Sequence, residues 1–287
     1  MQMDIKVVIL GRTGVLGDAI FDVFSQSRTK LQTDGPTLIL PPNLRSMINE
    51  RSIFDWLKAI QPDYILNCVS INGIRRCYED PVSAFRVNAV FPQLLAAKCA
   101  QLGIKLIHFS TEMVFNGSKK LPSPVDLPNP QTIYGESKYL GEISANPLVC
   151  TIRLPLLFSY KKNSQIVWRV IDQLGKSGSA VASNDEYSTP VMVEDVALLL
   201  ATKILNDSIA FGGTPIHCAS QHRETLVESI RRFCCSNQLD AGGLREVPSS
   251  QFAQVEAKPK NLGLLYSGGY RLPSPGTVPR LTSSEES

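Results

Sequence analysis

The first half of the chain alternates short apolar, largely β-branched runs with longer segments of helical periodicity. The short runs predict buried strands at residues 5–10, 37–40, 63–70, 104–110 and 148–154. The longer segments predict helices over residues 15–26, 51–60 and 80–103, the last of which ends at a glycine. Continuous apolar strands separated by helices are typical of a parallel sheet with helices on both faces.

The second half of the chain has a weaker and mixed pattern. Amphipathic helical periodicity appears over residues 164–178, 193–207 and 223–237, and a short strand is expected near residues 215–220. We therefore expect a first domain over residues 1–154 and a smaller mixed α/β unit over residues 155–271, partly interleaved with the first. The last residues, 272–287, are rich in proline, serine and threonine, which predicts disorder.

The composition is that of a folded protein with a hydrophobic core, since 43% of the 287 residues are hydrophobic and 19% are charged. The net charge of +3 is too small to favour nucleic acid or an anionic membrane as a partner. No apolar run is long enough for a membrane span, and the N-terminal segment lacks the features of a secretory signal. The seven cysteines form no CxxC pair, which favours a reducing, cytoplasmic location. The three histidines are scattered, so no metal is expected.

A glycine-rich turn follows the first predicted strand. The sequence VVILGRTGVLG has a GxxGxxG spacing in which the glycines permit a tight turn, close approach to a pyrophosphate and close helix packing. We expect a dinucleotide to contact the whole turn, which consists of Gly11, Arg12, Thr13, Gly14, Val15, Leu16 and Gly17. The alternative is a glycine turn that packs tightly and binds no ligand. Together with the alternating pattern, the turn predicts a Rossmann-type doubly wound α/β fold.

The second predicted strand bears on the choice of cofactor. NAD-binding proteins usually end this strand with an acidic residue that binds the ribose 2′-hydroxyl. The sequence TLILPPNLRS has no acid, whereas Arg12 lies in the glycine turn and Asn43 and Arg45 follow the strand. A guanidinium pairs well with phosphate, so Arg12 or Arg45 could bind a 2′-phosphate. NADPH is favoured and NADH stays open; solvated surface arginines are the alternative.

The segment IYGESKYLGE, residues 133–142, places Tyr134 and Lys138 one helical turn apart. Residues at this spacing share a helix face. A nearby ammonium favours the phenolate and should lower the pKa of the tyrosine. Such a tyrosine can donate a proton to the alkoxide that develops when hydride reaches a ketone. The alternative is a surface tyrosine beside a surface lysine.

The segment HFSTEMVFNG, residues 108–117, ends a predicted strand. Open α/β sheets bind ligands at the carboxyl ends of their strands. Ser110 or Thr111 could therefore hydrogen-bond a substrate carbonyl near Tyr134. Ordinary capping of the strand end is the alternative for both hydroxyls.

These motifs, in this order, resemble those of extended short-chain dehydrogenases/reductases. The resemblance is carried by GRTGVLG, NCVS, FRVNA, FSTEMVFNG and NPQTIYGESKYLGE, and it extends over roughly residues 4–205. The chain is most similar to the dTDP-4-dehydrorhamnose reductase branch, which consists of sugar-nucleotide 4-ketoreductases. The resemblance implies that Tyr134 is the general acid and that Lys138 tunes it and binds the nicotinamide ribose. It also implies that Thr111 is the third catalytic residue, with Ser110 as its competitor.

The same resemblance implies further contacts to the cofactor. After the third strand, Asn67, Val69 and Ser70 would line the cofactor, and Asn88 would brace the neighbouring strand. After the TIRLP strand, Leu154 and Pro155 would lie near the nicotinamide. For the two asparagines, the alternative is that they satisfy buried backbone groups.

The chain departs from the family pattern after Thr111. The family often has Ser-Thr-Asp-Tyr-Val-Phe-Asp-Gly where this chain has Ser-Thr-Glu-Met-Val-Phe-Asn-Gly. Glu112 keeps the charge but Met113 loses an aromatic hydroxyl, which bears on the identity of the sugar. The residues expected to contact substrate are Glu112, Met113, Val114 and Phe115. Related 4,6-dehydratases carry two successive acids after the threonine, so the single Glu112 argues against dehydration.

The resemblance leaves three functions open. The favoured one is NADPH-dependent reduction of the C4 ketone of a nucleotide-linked deoxysugar in a substrate-binding second domain. The second is a non-catalytic NADP-binding regulatory subunit, as illustrated by the β subunit of methionine adenosyltransferase, which resembles the same branch. The third is a sugar-nucleotide epimerase. A homodimer stays open. The basic residues that could hold the substrate diphosphate are Lys161, Lys162, Arg169, Lys258 and Lys260.

Overall fold

The structure, a computed structural model of the protein, describes residues 5–30, 37–39, 50–143, 146–161, 165–266 and 269–276. The strands within these residues are β1 Lys6–Leu10, β2 Thr37–Ile39, β3 Tyr64–Asn67, β4 Lys105–Thr111, β5 Val149–Leu154, β6 Leu157–Phe158, β7 Ala180–Ser183, β8 Tyr187–Ser188, β9 Val191–Met192, β10 Ile216–Ser220, β11 Glu224–Thr225, β12 Leu244–Val247 and β13 Tyr270–Leu272. Seven of them form a parallel main sheet in the spatial order β2-β1-β3-β4-β5-β10-β13. The doubly wound α/β fold expected from the alternating pattern is confirmed.

Helices cover both faces of the main sheet. Within the described ranges they are α1 Val15–Lys30, α2 Glu50–Ile60, α3 Ile74–Glu79, α4 Pro81–Phe85, α5 Phe91–Leu102, α6 Ile133–Leu140, α7 Ile166–Ser177, α8 Val193–Leu205 and α9 Leu226–Ser236. Successive residues of a strand point to opposite faces. Val7 of β1 therefore packs in a core with α1 and α8, whereas Val8 packs in a second core with α2 and α5.

The strand order reverses beside β1. Val8 pairs with Ile39 of β2 on one side and with Ile65 of β3 on the other. The carboxyl ends of β1 and β3 therefore flank a crevice at the switch point, the place where open α/β sheets bind ligands. The glycine turn follows β1 at this end of the sheet, which is where the sequence places the cofactor.

The helix predicted over residues 80–103 is present as continuous helical backbone, with a π-helical turn in its middle that periodicity does not indicate. Helix α4 is followed by a π-helical turn, Arg86–Val90, and then by α5. The N–H of Phe91 donates to the carbonyl of Arg86, five residues earlier. Pro92 has no N–H to offer the carbonyl of Asn88, which removes one α-helical hydrogen bond at this point. That carbonyl instead lies against the backbone of Gly141, so closely that a Cβ atom on the glycine would overlap it.

The second half of the chain forms a smaller mixed unit. Its short strands pair as β6 with β9, β7 with β12 and β8 with β11, and Phe158 packs with α7 and α9 in its core. Strands β10 and β13 belong to the main sheet, and the boundary at residue 154 stays a prediction. Leu272, the first residue of the tail predicted to be disordered, ends β13, and Ser274 is 2% exposed. The disorder prediction is wrong at these two positions, and residues 277–287 lie outside the described residues.

Candidate active site

The turn after β1 packs directly against the turn after β3. Gly11 has a φ of +83°, which only glycine adopts without strain. A Cβ atom there would lie 2.8 Å from the carbonyl carbon of Cys68 and 2.9 Å from the amide nitrogen of Val69. A Cβ atom on Gly17 would overlap the carbonyl oxygen of Gly11. Close backbone approach therefore requires glycine at both positions.

The glycine turn presents its backbone to the crevice. Arg12, Thr13 and Gly14 are exposed, and α1 begins at Val15. Unpaired N–H groups and the partial positive charge of a helix N-terminus bind phosphate. The turn therefore fits the pyrophosphate of a dinucleotide. Leu16 differs from its neighbours, because its side chain is 9% exposed and packs in the core of the main sheet.

Among the residues that could contact a 2′-phosphate, Arg12 lies within the described residues. Its guanidinium carbon lies 3.7 Å from the centroid of the Phe21 ring on α1, a cation–π contact that orients an otherwise exposed side chain. The other candidates, Asn43 and Arg45, lie outside the described residues. The role of Arg12 in selecting NADPH stays a prediction.

Helix α6 is fixed at its first turn by two side chains. The Thr132 hydroxyl accepts a hydrogen bond from the N–H of Gly135 at 3.0 Å, a helix N-cap. The carboxylate of Glu256 accepts from the N–H of Ile133, also at 3.0 Å. A carboxylate at a helix N-terminus is favourable for the helix dipole. This contact joins the helix to a segment 123 residues later in the chain.

Tyr134 and Lys138 of α6 meet the carboxyl end of β4. Lys138 is 3% exposed, and its ammonium donates to the carbonyl oxygen of Phe109 at 2.6 Å. Tyr134 is partly exposed, and the Thr111 side chain is close enough to its hydroxyl to lower its pKa. The positive charge of Lys138 also acts on Cys68, whose backbone contacts the glycine turn. Lys138 is therefore near enough to the loop after β3, which packs against the glycine turn, for its charge to act there.

The electrostatics of this pair differ from the expectation. Burial raises the pKa of Tyr134 to about 12, and the Thr111 hydrogen bond lowers it only in part. Burial lowers the pKa of Lys138 to about 8, opposed by the charge of Glu142. The expected lowering of the tyrosine pKa is wrong, because desolvation of the phenolate dominates. At neutral pH the phenol is protonated and the ammonium is charged, as a proton donor and its partner should be.

Ser110 and Thr111 have different neighbours. Ser110 is 5% exposed, and its hydroxyl donates to Oε1 of Glu142 at 2.7 Å. The Thr111 hydroxyl lies at Tyr134 and also accepts from the N–H of Met113 at 3.3 Å. Successive strand residues face opposite sides of a sheet, so only one of the two can face the tyrosine. The structure brings Thr111 to the tyrosine and leaves Ser110, the competing candidate, bound to Glu142.

The side chain of Asn88 links the loop after β3 to α6. Its Oδ1 accepts from the Ser70 hydroxyl and from the N–H of Ile71, and its Nδ2 donates to the carbonyl of Ile71 and to the Ser137 hydroxyl. The Ser137 hydroxyl in turn donates to the carbonyl of Tyr134. Asn88 is fully buried and braces a loop and a helix, which corrects the expectation that it braces a strand.

The end of β5 lies beside Thr111. Leu154 pairs in register with Thr111, and both Leu154 and Pro155 are buried. The next residue, Leu156, donates its N–H to the Ser188 hydroxyl at 3.1 Å. Their proximity to a nicotinamide stays a prediction.

Glu112 joins the end of β4 to the second half of the chain. It is 6% exposed, and its carboxylate accepts a hydrogen bond from the Ser188 hydroxyl at 2.7 Å. Burial raises the pKa of Glu112 to about 7, with the Ser188 hydrogen bond opposing the shift. Sequence reasoning missed Ser188, which carries no local signal for this contact.

Val114 and Phe115 are packing residues. They are 0% and 5% exposed and form a hydrophobic cluster with Ala219 and Leu264. These neighbours enclose the two side chains, and contact of either residue with substrate stays a prediction. Met113 is partly exposed, and its contact with substrate stays a prediction.

The lysines suggested for a substrate diphosphate already have acidic partners. The ion pairs are Lys161 with Asp18 at 2.8 Å and with Asp22, Lys258 with Glu186 at 3.2 Å, and Lys260 with Asp185 at 2.6 Å. Arg169 is exposed on α7, and Lys162 lies outside the described residues. Carboxylates therefore already pair with the three described lysines, and a role for any of them in holding the diphosphate stays a prediction.

Sequence reasoning also missed a buried ion pair beside α6. Arg153 donates from Nε and Nη2 to the two carboxylate oxygens of Glu142, each at 2.8 Å, and the two side chains are 3% and 6% exposed. Arg153 Nη1 lies 3.2 Å from Nε2 of His217, and Ser110 donates to Glu142. We call Ser110, Glu142, Arg153 and His217 the Arg153 cluster. The available signal was a lone arginine in the apolar strand VCTIRL, since a buried charge needs a partner.

Two cavities lie at opposite ends of the main sheet. One of about 180 Å³ is lined by Ile74, Arg75 and Glu256, so it adjoins the N-terminus of α6 that Glu256 contacts. The other, of about 570 Å³, is lined by Tyr64 and Lys105, which begin β3 and β4. The larger cavity therefore lies at the amino ends of the strands, away from Thr111 and the glycine turn.

Other site types have little support in the part of the chain that is described. All seven cysteines are free thiols. Within the described ranges, no group of three His, Cys, Asp or Glu side chains could hold a metal ion. Likewise, none of the described helices has both the length and the apolar character needed to cross a membrane.

A protonated tyrosine and a buried lysine one helical turn apart at the carboxyl end of β4, with a glycine turn at the switch point of the same parallel sheet, are the arrangement of the extended short-chain dehydrogenases/reductases. The class is one of dinucleotide-dependent oxidoreductases. Comparison with family models narrows the class to one family. Residues 5–267 match the model described as the RmlD substrate binding domain, and the chain belongs to that family.

The individual relatives that match the chain have low sequence identity to it. The chain is 26% identical over 270 residues to methionine adenosyltransferase 2 subunit beta of Rattus norvegicus, which covers 90% of this chain and 80% of that protein. It is 28% identical over 198 residues to dTDP-4-dehydrorhamnose reductase of Mycobacterium tuberculosis, which covers 66% and 64%. A crystal structure of dTDP-4-dehydrorhamnose reductase from Bacillus anthracis in complex with NADP has a TM-score of 0.81 at 21% identity and covers 95% of this chain and 96% of that one. The structural likeness confirms the fold.

Proposed function

We propose that the protein uses NADPH to reduce the C4 ketone of a nucleotide-linked deoxysugar. The observation that carries the proposal is that Tyr134 and the buried Lys138, one helical turn apart on α6, lie at the carboxyl end of β4, where Thr111 acts on the tyrosine hydroxyl. Membership of the RmlD substrate binding domain family supports the same class of reaction. The NADP bound to the Bacillus anthracis reductase supports the choice of cofactor, with NADH as the second possibility.

Different residues would bind the cofactor and transfer the proton. NADPH, when bound, would supply the hydride. The backbone from Gly11 to Gly17 and the N-terminus of α1 would bind its pyrophosphate, and Val69 and Ser70 would border it. Tyr134, protonated at neutral pH, would donate its proton to the ketone oxygen, with Thr111 orienting the phenol. The ammonium of Lys138 would stabilise the phenolate that remains and bind the nicotinamide ribose.

The substrate is expected on the side of the crevice that α3 and the segment around Glu256 border. The cavity of about 180 Å³ there is lined by Arg75 and Lys258 and also by Glu186 and Glu256, so cationic and anionic side chains both border it. It holds only part of a nucleotide sugar, so the rest would extend along Glu112 and Met113. This assignment places the sugar ketone near Tyr134 and the nucleotide farther out.

The proposal is tested by NADPH and NADH oxidation in the presence of dTDP-, UDP- and GDP-linked 4-keto sugars. We expect the purified chain to oxidise NADPH with at least one of them, and NADH more slowly. A chain that binds NADPH tightly yet oxidises it with none of these substrates would contradict the reductase function.

Replacing Gly17 by alanine should weaken NADPH binding about tenfold or more. The new methyl group would overlap the Gly11 carbonyl oxygen, so the turn that binds the pyrophosphate must shift. Isothermal titration calorimetry with NADPH measures the effect. Gly175→Ala is the matched control, because a Cβ atom at this α7 position meets nothing within 4 Å. Equal affinity of the two variants would show that the turn does not hold the cofactor.

A second candidate is a non-catalytic subunit that binds NADP. The observation that favours it is the match to methionine adenosyltransferase 2 subunit beta along 90% of this chain, longer than the 66% matched by the Mycobacterium tuberculosis reductase. Copurification with a larger enzyme, together with a negative substrate screen, would favour this function. An epimerase would instead retain oxidised cofactor through purification.

We also propose a cytoplasmic location, supported by seven free cysteine thiols in the structure. A nucleotide sugar is the partner that the proposed reaction requires. The homodimer stays a prediction that sedimentation of the purified chain would decide.

A further inference from the structure

His108 is a fully buried histidine of β4. It pairs in register with Asn67, the last residue of β3, and its Nδ1 lies 3.2 Å from the side-chain nitrogen Nδ2 of that asparagine. Its other ring nitrogen, Nε2, is buried and has no hydrogen-bond partner among the described residues. A half-satisfied polar ring at this depth calls for an explanation other than stability.

The contacts of Asn67 determine which ring nitrogen carries the proton. Asn67 Oδ1 accepts a hydrogen bond from the N–H of Val69 at 3.2 Å, so its NH₂ group faces His108. An NH₂ group only donates, and Nδ1 of His108 must therefore accept. The proton of the neutral ring is then on Nε2. Burial and the charge of Lys138 both lower the pKa of His108 well below its ordinary value, so the ring is neutral at physiological pH.

The same amide shapes the turn that borders the glycine loop. Asn67 is 1% exposed and bridges His108 to the backbone of Val69. A Cβ atom on Gly11 would lie 2.9 Å from the nitrogen of Val69, so the two turns have no room to shift. If the amide rotated, its NH₂ would face the Val69 N–H and the turn would be pushed out of place.

The energetics point to function. A buried N–H without a partner destabilises the folded state, and an apolar side chain of similar size would avoid that penalty. An apolar side chain could not make the contact that Nδ1 of His108 makes with Asn67. The histidine is therefore suited to orienting the amide rather than to stabilising the sheet.

We propose that His108 is a positioning residue of the cofactor site. As a neutral ring protonated at Nε2, it accepts a hydrogen bond from Asn67 and holds the Val69 turn against the glycine turn in the form that binds the dinucleotide. The inference rests on the proposed use of NADPH.

The first test compares NADPH affinity with thermal stability. His108→Leu should raise the Kd for NADPH about tenfold while changing the melting temperature of the cofactor-free chain little. His108→Asn, whose Oδ1 can stand near the position of Nδ1, should recover most of the affinity. Ile107→Val is the matched control, since Ile107 is a fully buried neighbour on the opposite face of β4. It should lower the melting temperature and leave the Kd unchanged.

The second test is the tautomer itself. In ¹⁵N-labelled protein at neutral pH, the His108 ring should be neutral and protonated at Nε2, with its signals assigned by their loss in His108→Asn. His217 should show the opposite tautomer, because its Nδ1 lies 3.0 Å from the carbonyl oxygen of Leu265. If His108→Leu does not fold, the Kd of His108→Asn for NADPH and this spectrum test the inference.

Three results would overturn the inference: a Kd for His108→Leu within twofold of wild type, a loss of affinity that parallels a loss of stability and is not recovered by asparagine, or a His108 ring protonated at Nδ1. Failure of the wild-type chain to bind NADPH would instead overturn the proposed function. The two failures are distinguishable, because the first two of these results require wild-type binding.

Discussion

Tyr134→Phe is expected to reduce kcat for ketone reduction about 10²–10⁴-fold, the usual contribution of a positioned general acid. The substitution removes the only group of the side chain that can donate a proton and keeps the aromatic ring. The Kd for NADPH should change little, because the glycine turn and Lys138 are untouched. Steady-state rates with the 4-keto sugar found in the screen, together with NADPH titrations, measure the two effects separately.

Tyr139→Phe is the matched control for this prediction. Tyr139 is on the same helix and is 38% exposed. It should keep the wild-type kcat. Full activity in Tyr134→Phe would reject the general-acid role, and equal losses in both variants would indicate damage to α6 instead of lost chemistry.

The protonation states in the structure suit a reductase. A phenol pKa of about 12 keeps the proton on Tyr134 at any working pH, ready for transfer. A lysine pKa of about 8 keeps most of the Lys138 side chain charged at neutral pH. In the proposed reaction the ammonium would therefore act on the phenolate produced by proton transfer, not on a phenolate formed beforehand. This order of events replaces the expectation of an acidified tyrosine.

Much of the fold follows from local pattern. The apolar runs around Val8, Ile65 and Ile107 identify strands because each is buried on both faces of the sheet. The π-helical turn at Arg86–Val90 was not predictable from periodicity, since it arises where Pro92 removes a hydrogen bond and Gly141 approaches. The strand pairs of the second half are two to four residues long, which is too short for any periodic signal.

The site was predictable where chemistry depends on spacing along the chain. Tyr134, Lys138 and the glycine turn belong to local patterns, and all of them lie at the carboxyl ends of strands of the main sheet. Contacts between distant segments were not predictable. Whether Ser110 or Thr111 meets the tyrosine depends on which face of β4 carries α6, and the enclosure of Phe115 depends on Leu264, far along the chain.

Arg153→Met should lower the free energy of unfolding by ~3–5 kcal/mol, because it leaves the Glu142 carboxylate buried without its cationic partner. The two side chains are 3% and 6% exposed, so water cannot replace the lost hydrogen bonds. Urea denaturation measures the loss. The same substitution at Arg75, whose ion pair with Glu79 is 59% and 60% exposed, should change stability little.

The double variant Glu142→Leu with Arg153→Met tests whether stability depends on the pairing of the two buried charges. Removing both charges leaves no uncompensated ion, so the double variant should be more stable than Arg153→Met alone. Ser110 and His217 would lose their partners in it, which keeps its stability below that of wild type. A double variant whose loss equals the sum of the two single losses would show that Glu142 and Arg153 act independently, contrary to their bidentate contact.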